Sequence, residues 1–189
     1  MRWWSLFWLV LLSGCALLPA APQPAARPAQ PEAAPFALNG RIAVKYDGAS
    51  HSAGLRWMHQ PQSDEILLLA PLGQTVARIY RDASGAKLES GNQYYQADDV
   101  EALMQQVLGW HFPLTGMHYW VLGLAAAGSP AQVERDAEGR IEVLHQSGWE
   151  VRYLRYAGDQ ADSLPARLQL SRDNLQVQLL IDELEWNPQ

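Results

Sequence analysis

The chain has 189 residues, with 14 Lys and Arg against 20 Asp and Glu for a formal charge of −6, and 48% of its residues are hydrophobic. That length suffices for one domain with its own core plus a tail. The acidic balance argues against nucleic acid as a partner and against docking on anionic lipid through a basic patch, and the single cysteine, Cys15, excludes an intramolecular disulfide.

The first fifteen residues read as an export signal. Met1-Arg2 supplies a short positive region, and residues 3–12 are Trp, Leu, Phe and Val broken only by Ser5. So short an apolar run does not span a hydrocarbon core of ~30 Å as a helix. Leu12-Ser13-Gly14-Cys15 resembles the lipobox read by lipoprotein signal peptidase, which implies removal of residues 1–14 and acylation of Cys15. Ala16 follows, where lipoprotein sorting signals commonly place Asp for inner-membrane retention; the resemblance therefore implies outer-membrane delivery, lipid-anchored, with the domain facing the periplasm. Loss of Arg2 leaves 13 cations against 20 anions, a mature charge of about −7. Residues 16–35, dominated by Ala and Pro without helical or strand period, predict that 15–35 is a polyproline-like tether of ~3.1 Å per residue and at most ~60 Å reach.

From Phe36 to the end at 189 the pattern is that of one domain, mainly β with inserted helices. Leu38, Gly40, Ile42, Val44 and Tyr46 alternate on one face, as do Ala53, Leu55 and Trp57 after an Asp47-Gly48 turn. Residues 66–69, 76–80, 86–89 and 93–96 continue an antiparallel meander, with turn residues at 82–85 and 91–92. The period then changes. Asp98 with Glu101 predicts a capping-box start to a helix whose apolar stripe is Val100, Leu103, Met104, Val107 and Leu108, closed by Gly109. Pro113 precedes a second short helix carrying Leu114, Met117, Val121 and Leu122, closed by Gly123. Strand alternation resumes at Val133, at Ile141–Leu144, at Trp149–Arg155, at Ala166–Leu170 and at Leu175–Ile181, where a parity shift to Leu184 and Trp186 predicts a β-bulge. The sum is about eleven strands with two helices in the middle. Two short helices cover only part of such an apolar sheet face, which leaves two interiors open: a filled core, or an apolar cavity with the helices as its lid.

No constellation for catalysis, metal or nucleotide emerges. His51, His59, His111, His118 and His145 are scattered without metal-ligand spacing, and neither phosphate-loop motif occurs. Gly48-Ala49-Ser50-His51-Ser52 lacks the last glycine of a nucleophile elbow and falls in a hairpin. Asp98/Asp99 and Asp182/Glu183/Glu185 suit a helix start and a solvated strand end. The conspicuous feature is Ala70-Pro71-Leu72-Gly73, in which Pro71 fits position i+1 of a β-turn and Gly73 fits i+3. Leu72 then stands at the tip, where exposure forgoes ~1.5–3 kcal/mol of burial; it either folds back onto the sheet or meets an apolar partner.

These pieces together resemble the LolB family of outer-membrane lipoprotein receptors. The matching segments stand in order: the lipobox, Leu38-Asn39-Gly40-Arg41, Leu55-Arg56-Trp57, Leu67 through Gly73, Tyr95 through Asp99, Leu108-Gly109, Pro113-Leu114 and Trp120 through Gly123. The resemblance implies an incomplete, strongly curved antiparallel β-barrel with a helical lid over an apolar cavity. It implies a monomer without cofactor or metal and without enzymatic activity. Its partners would be the periplasmic carrier LolA, the acyl chains of lipoprotein cargo, and outer-membrane lipid. Pro71, Leu72 and Gly73 match the family's membrane-transfer loop, and Trp57, Leu68, Trp120 and Trp149 are candidate walls of the acyl-chain cavity. A different class of function remains beside it: an assembly lipoprotein that binds protein partners along a sheet edge and needs no hollow interior. An exported esterase would need Ser, His and Asp to converge, and nothing in the chain points there.

Overall fold

The computed structural model describes residues 27–109 and 112–188; the signal segment, Cys15 and the tether up to residue 26 lie outside these. Eleven strands form a single antiparallel sheet: β1 (Phe36–Tyr46), β2 (Ala49–Gln60), β3 (Ser63–Leu69), β4 (Thr75–Asp82), β5 (Gly85–Ser90), β6 (Gln93–Ala97), β7 (Ala131–Arg135), β8 (Ile141–Gln146), β9 (Trp149–Tyr156), β10 (Pro165–Arg172) and β11 (Leu175–Trp186). Their spatial order is β6-β5-β4-β3-β2-β1-β11-β10-β9-β8-β7. Two meanders are thus joined where β11 returns to pair with β1, leaving β6 and β7 as free edges. The chain crosses from one free edge to the other through helices α1 (Val100–Leu108) and α2 (Leu114–Trp120).

The period-two sets fall on one face as their alternation requires. Leu38, Ile42, Leu55, Trp57, Val151, Leu168, Leu170, Val177 and Leu179 are all buried, and Arg41, Arg56, Arg152 and Arg167 between them are exposed. The parity shift at the end of β11 is a bulge: Asn39 pairs with Glu183 but Gly40 with Ile181, so Asp182 is the extra residue. It points outward, where Arg41 donates to its carboxylate at 3.0 and 3.3 Å. Opposite the bulge the two backbones approach so closely that a Cβ on Gly40 would lie 2.2 Å from the Leu180 carbonyl oxygen. Only glycine fits there.

Two expectations are corrected. The N-cap of α1 is Asp99, whose carboxylate accepts from the Ala102 amide at 2.7 Å, not Asp98. Glu101 does not reach back to close a capping box; it accepts from the Thr115 amide and hydroxyl, at 3.3 and 2.9 Å, and so ties α1 to α2. The described end of the tether is not a free extended chain either. Pro31–Ala33 form a 3-10 turn, Pro31 is buried, and the Arg27 guanidinium is half-buried against Gly123. Gly109 closes α1 in the left-handed region, as expected. Among the described residues no helix is long and apolar enough to cross a membrane.

Gly40→Ala is expected to cost at least about 2 kcal/mol, because neither backbone can retreat without breaking the β1–β11 ladder. Urea denaturation checks this; a loss within 0.5 kcal/mol (roughly the neutral range of surface substitutions) would show that the close approach is dispensable.

Candidate functional site

Between the β1–β4 part of the sheet and the two helices lies a cavity of about 340 Å³. Its walls are Ile42, Leu55, Ile66, Leu68 and Ile79, every one an inward position of its strand. Met104 of α1, Phe112, and Leu114 and Met117 of α2 close it from above. Trp57 bounds it at depth, while Val44, Tyr46, Ala49 and His51 surround it at the β1–β2 hairpin. The volume lies within the range of natural ligand sites, and it is over twice the ~150 Å³ apolar cavity that suffices to bind benzene. A space so lined offers hydrocarbon a refuge from water, with Tyr46 and His51 at the hairpin as its polar margin.

The loop that follows β3 stands at the same end of the sheet as that hairpin, since Leu69 pairs with Gly54 and β2 leads from there to the hairpin at Ala49. The Gly73 amide donates to the Ala70 carbonyl at 2.8 Å, and Gly73 has φ of +83°, which favours glycine. Pro71 and Leu72 form the tip. Leu72 is 85% exposed and Val76, just beyond it, 46%. Leu72 therefore does not fold back onto the sheet.

At the opposite end the floor of the cavity rests on a buried polar cluster. The Asp64 carboxylate accepts from Trp57 Nε1 at 2.8 Å, from Arg81 Nε at 2.7 Å, and is 2.7 Å from His59 Nδ1. Burial alone would raise its pKa, but the His59 and Trp57 hydrogen bonds, the His59 charge and the Arg81 bond outweigh that and hold it below the ordinary carboxylate value. The His59 ring is sandwiched between Phe36 and His118, with centroids 4.8 and 4.9 Å away. His118 belongs to α2, so this stack pins the lid helix to β2. Its pKa is pressed down to about 4, by burial first and by the facing His59 second.

The domain matches the family model of the outer membrane lipoprotein LolB over residues 34–186. The chain belongs to the LolB family. It is 39% identical to the outer-membrane lipoprotein LolB of Chromobacterium violaceum over 173 residues, 91% of this chain and 92% of that one. It is 38% identical to the LolB of Nitrosomonas europaea over 193 residues, covering 96% and 91% respectively. Among solved structures, a LolA superfamily protein from Nitrosomonas europaea superposes with a TM-score of 0.48 at 10% identity, covering 83% of this chain and 88% of that chain.

In this LolB-family chain the four residues expected around the cavity divide evenly. Trp57 and Leu68 line it; Trp120 and Trp149 do not. The latter two point inward but pack on each other, with ring centroids 6.4 Å apart, under the other half of the sheet. Trp120 donates through Nε1 to the Gln146 side chain at 3.0 Å, and its carbonyl accepts from the Tyr153 hydroxyl at 3.1 Å. They fasten α2 to β8 and β9. Alternation alone does not reveal the polar cluster, because Trp57 and His59, Asp64, and Arg81 sit on three successive strands and only the register of their pairing brings the side chains together. One signal was available: His59 occupies an inward position two residues after Trp57 on an otherwise apolar face, and an inward histidine calls for a buried partner. Cys15 lies outside the described residues.

The folded chain keeps His118 neutral down to about pH 4, whereas the unfolded chain takes up a proton near 6.5. The unfolded state thus binds more protons across that interval, and stability falls as pH drops from 6.5 toward 4. His118→Leu is expected to flatten this part of the stability profile, read as urea midpoints at several pH values. An unchanged slope would remove His118 from the linkage.

Proposed function

We propose that this chain is an outer-membrane-anchored receptor that accepts lipoproteins from the periplasmic carrier LolA, shelters their acyl chains in the cavity beneath α1 and α2, and inserts them into the outer membrane. The observation that carries this reading is the apolar cavity itself, because an assembly lipoprotein acting through a sheet edge would have no use for a hollow interior. An acyl chain of about fifteen methylenes costs ~12 kcal/mol to leave in water, so cargo must pass between apolar sites without being released. Direction then follows from relative affinity alone, lowest in the carrier, higher here, highest in the bilayer. Met104 and Met117 suit the lid because an unbranched thioether repacks readily around chains of different shape.

Cys15 is the proposed point of acylation and of the anchor, and residues 15–35 are the proposed Ala/Pro-rich tether. Pro71-Leu72-Gly73 is the proposed transfer loop. It stands at the hairpin end of the cavity, so an apolar tip entering the leaflet brings the stored chains toward lipid rather than toward water.

Leu72→Glu is expected to leave uptake from loaded carrier within about twofold and to slow delivery into vesicles on the order of tenfold or more, since a charged side chain resists burial in hydrocarbon. Normal delivery by that variant would refute the assignment of the loop. Cys15→Ala is expected to release the domain from the membrane yet leave it able to take cargo from the carrier in solution. If the soluble form accepted none, the anchor would be part of the binding chemistry.

A further inference from the structure

Among the described residues that line the cavity, only Tyr46, His51 and Trp57 carry a side-chain nitrogen or oxygen. The Trp57 indole N–H is already committed to Asp64 at 2.8 Å. Tyr46 and His51 stand at the hairpin end, as inward positions of β1 and β2 where Val44 pairs with His51 and Tyr46 with Ala49. They are diagonal neighbours, roughly 7–8 Å apart between α-carbons. Neither has a hydrogen-bond partner among the described residues, although each has a donor: the phenol O–H and an imidazole N–H. Among the described residues the cavity thus has a polar rim at one end and no uncommitted N–H or O–H donor along its walls.

That arrangement fits a particular ligand. A plain hydrocarbon needs no donor at all. An acyl chain joined through an ester has an apolar tail ending in a carbonyl, and the carbonyl loses its water partners uncompensated once it is drawn below the rim without a donor. We propose that Tyr46 and His51 donate hydrogen bonds to the ester carbonyl oxygens of acyl chains seated in the cavity, so that the site selects diacyl esters and fixes how deep their chains enter. Two donors on adjacent strands serve two carbonyls, one on each chain of a diacylglyceryl group. The depth limit matters because the polar remainder of the ligand, a peptide in the case of cargo, stays outside. This rests on the receptor reading above. It adds the chemical class that the cavity recognises.

The test uses the mature chain carrying Cys15→Ala, so that its own anchor does not compete, with binding followed by tryptophan fluorescence. Three probes are compared: a diacylglyceryl-cysteine peptide, its dialkyl-ether counterpart in which each carbonyl is replaced by methylene, and a diacyl phospholipid with the same chains. In the Tyr46→Phe/His51→Ala double variant, ester-peptide affinity is expected to fall about five- to tenfold relative to the unaltered rim while ether-peptide affinity changes less than about twofold. Equal weakening of both peptides would reduce the two residues to packing, and an unchanged ester-to-ether ratio would show that they touch no carbonyl; either result overturns the proposal. If the unaltered chain bound neither peptide, the receptor reading would fall with it. A parallel loss for the phospholipid assigns the rim to acyl esters of any source, and a loss confined to the peptide assigns it to lipoprotein cargo.

Discussion

The two free edges of the curled sheet, β6 and β7, are never hydrogen-bonded to each other, and almost everything else in the molecule answers that gap. A closed barrel would cover its interior with its own strands. Here the interior face carries Trp57, Ile66, Leu68 and Ile79 and must be covered by two helices of nine and seven residues. They are fastened on opposite sides. α2 is held to the β8–β9 half through Trp120, Gln146 and Tyr153, and α1 packs on β5 and β6. The Glu101–Thr115 hydrogen bonds join them across the gap. Two short rods laid over a concave sheet cannot reach every part of it, and the unfilled remainder is the cavity.

The polar cluster at the floor limits how far that hollow extends. Asp64 is almost fully buried and would be unstable as an isolated charge, yet with Trp57, His59 and Arg81 around it its acceptor positions are occupied. The cluster fixes the Trp57 ring by its indole nitrogen and, through the Phe36–His59–His118 stack, holds α2 at a set height above the sheet. A rigid floor and a fixed lid helix place any adaptability elsewhere, in the methionines and at the hairpin end.

The two ends of the sheet consequently differ in kind. One is sealed by aromatic rings and a satisfied charge cluster. The other carries the β1–β2 hairpin with its uncommitted Tyr46 and His51, and beside it a loop that exposes Leu72 to solvent. The exposed Leu72 and the solvent-accessible Tyr46 and His51 lie at the same end of the cavity, which is where a protein handing hydrocarbon to a bilayer has use for them.

By itself the sequence determined the strands, the helices and the inward face of each, because period-two and period-3.6 alternation are local properties of the chain. It also determined the bulge near Ile181, legible as a parity shift, and the turn that presents Leu72, legible from Pro71 and Gly73. The ordered run of segments from Leu38 to Gly123 was enough to recognise the LolB family. What only the tertiary structure decided is which inward residues face empty space. Trp57 and Trp149 have the same alternation and the same burial, but one borders the cavity and the other packs on Trp120, a difference set by where α1 and α2 come to rest. The convergence of His59, Asp64, Arg81 and His118 was likewise invisible, since three strands and a helix bring them together, and so was the N-cap, where neighbouring aspartates compete and only the backbone geometry chooses Asp99. Alternation fixes direction relative to the sheet; occupancy of the space on that side depends on every other element that reaches into it.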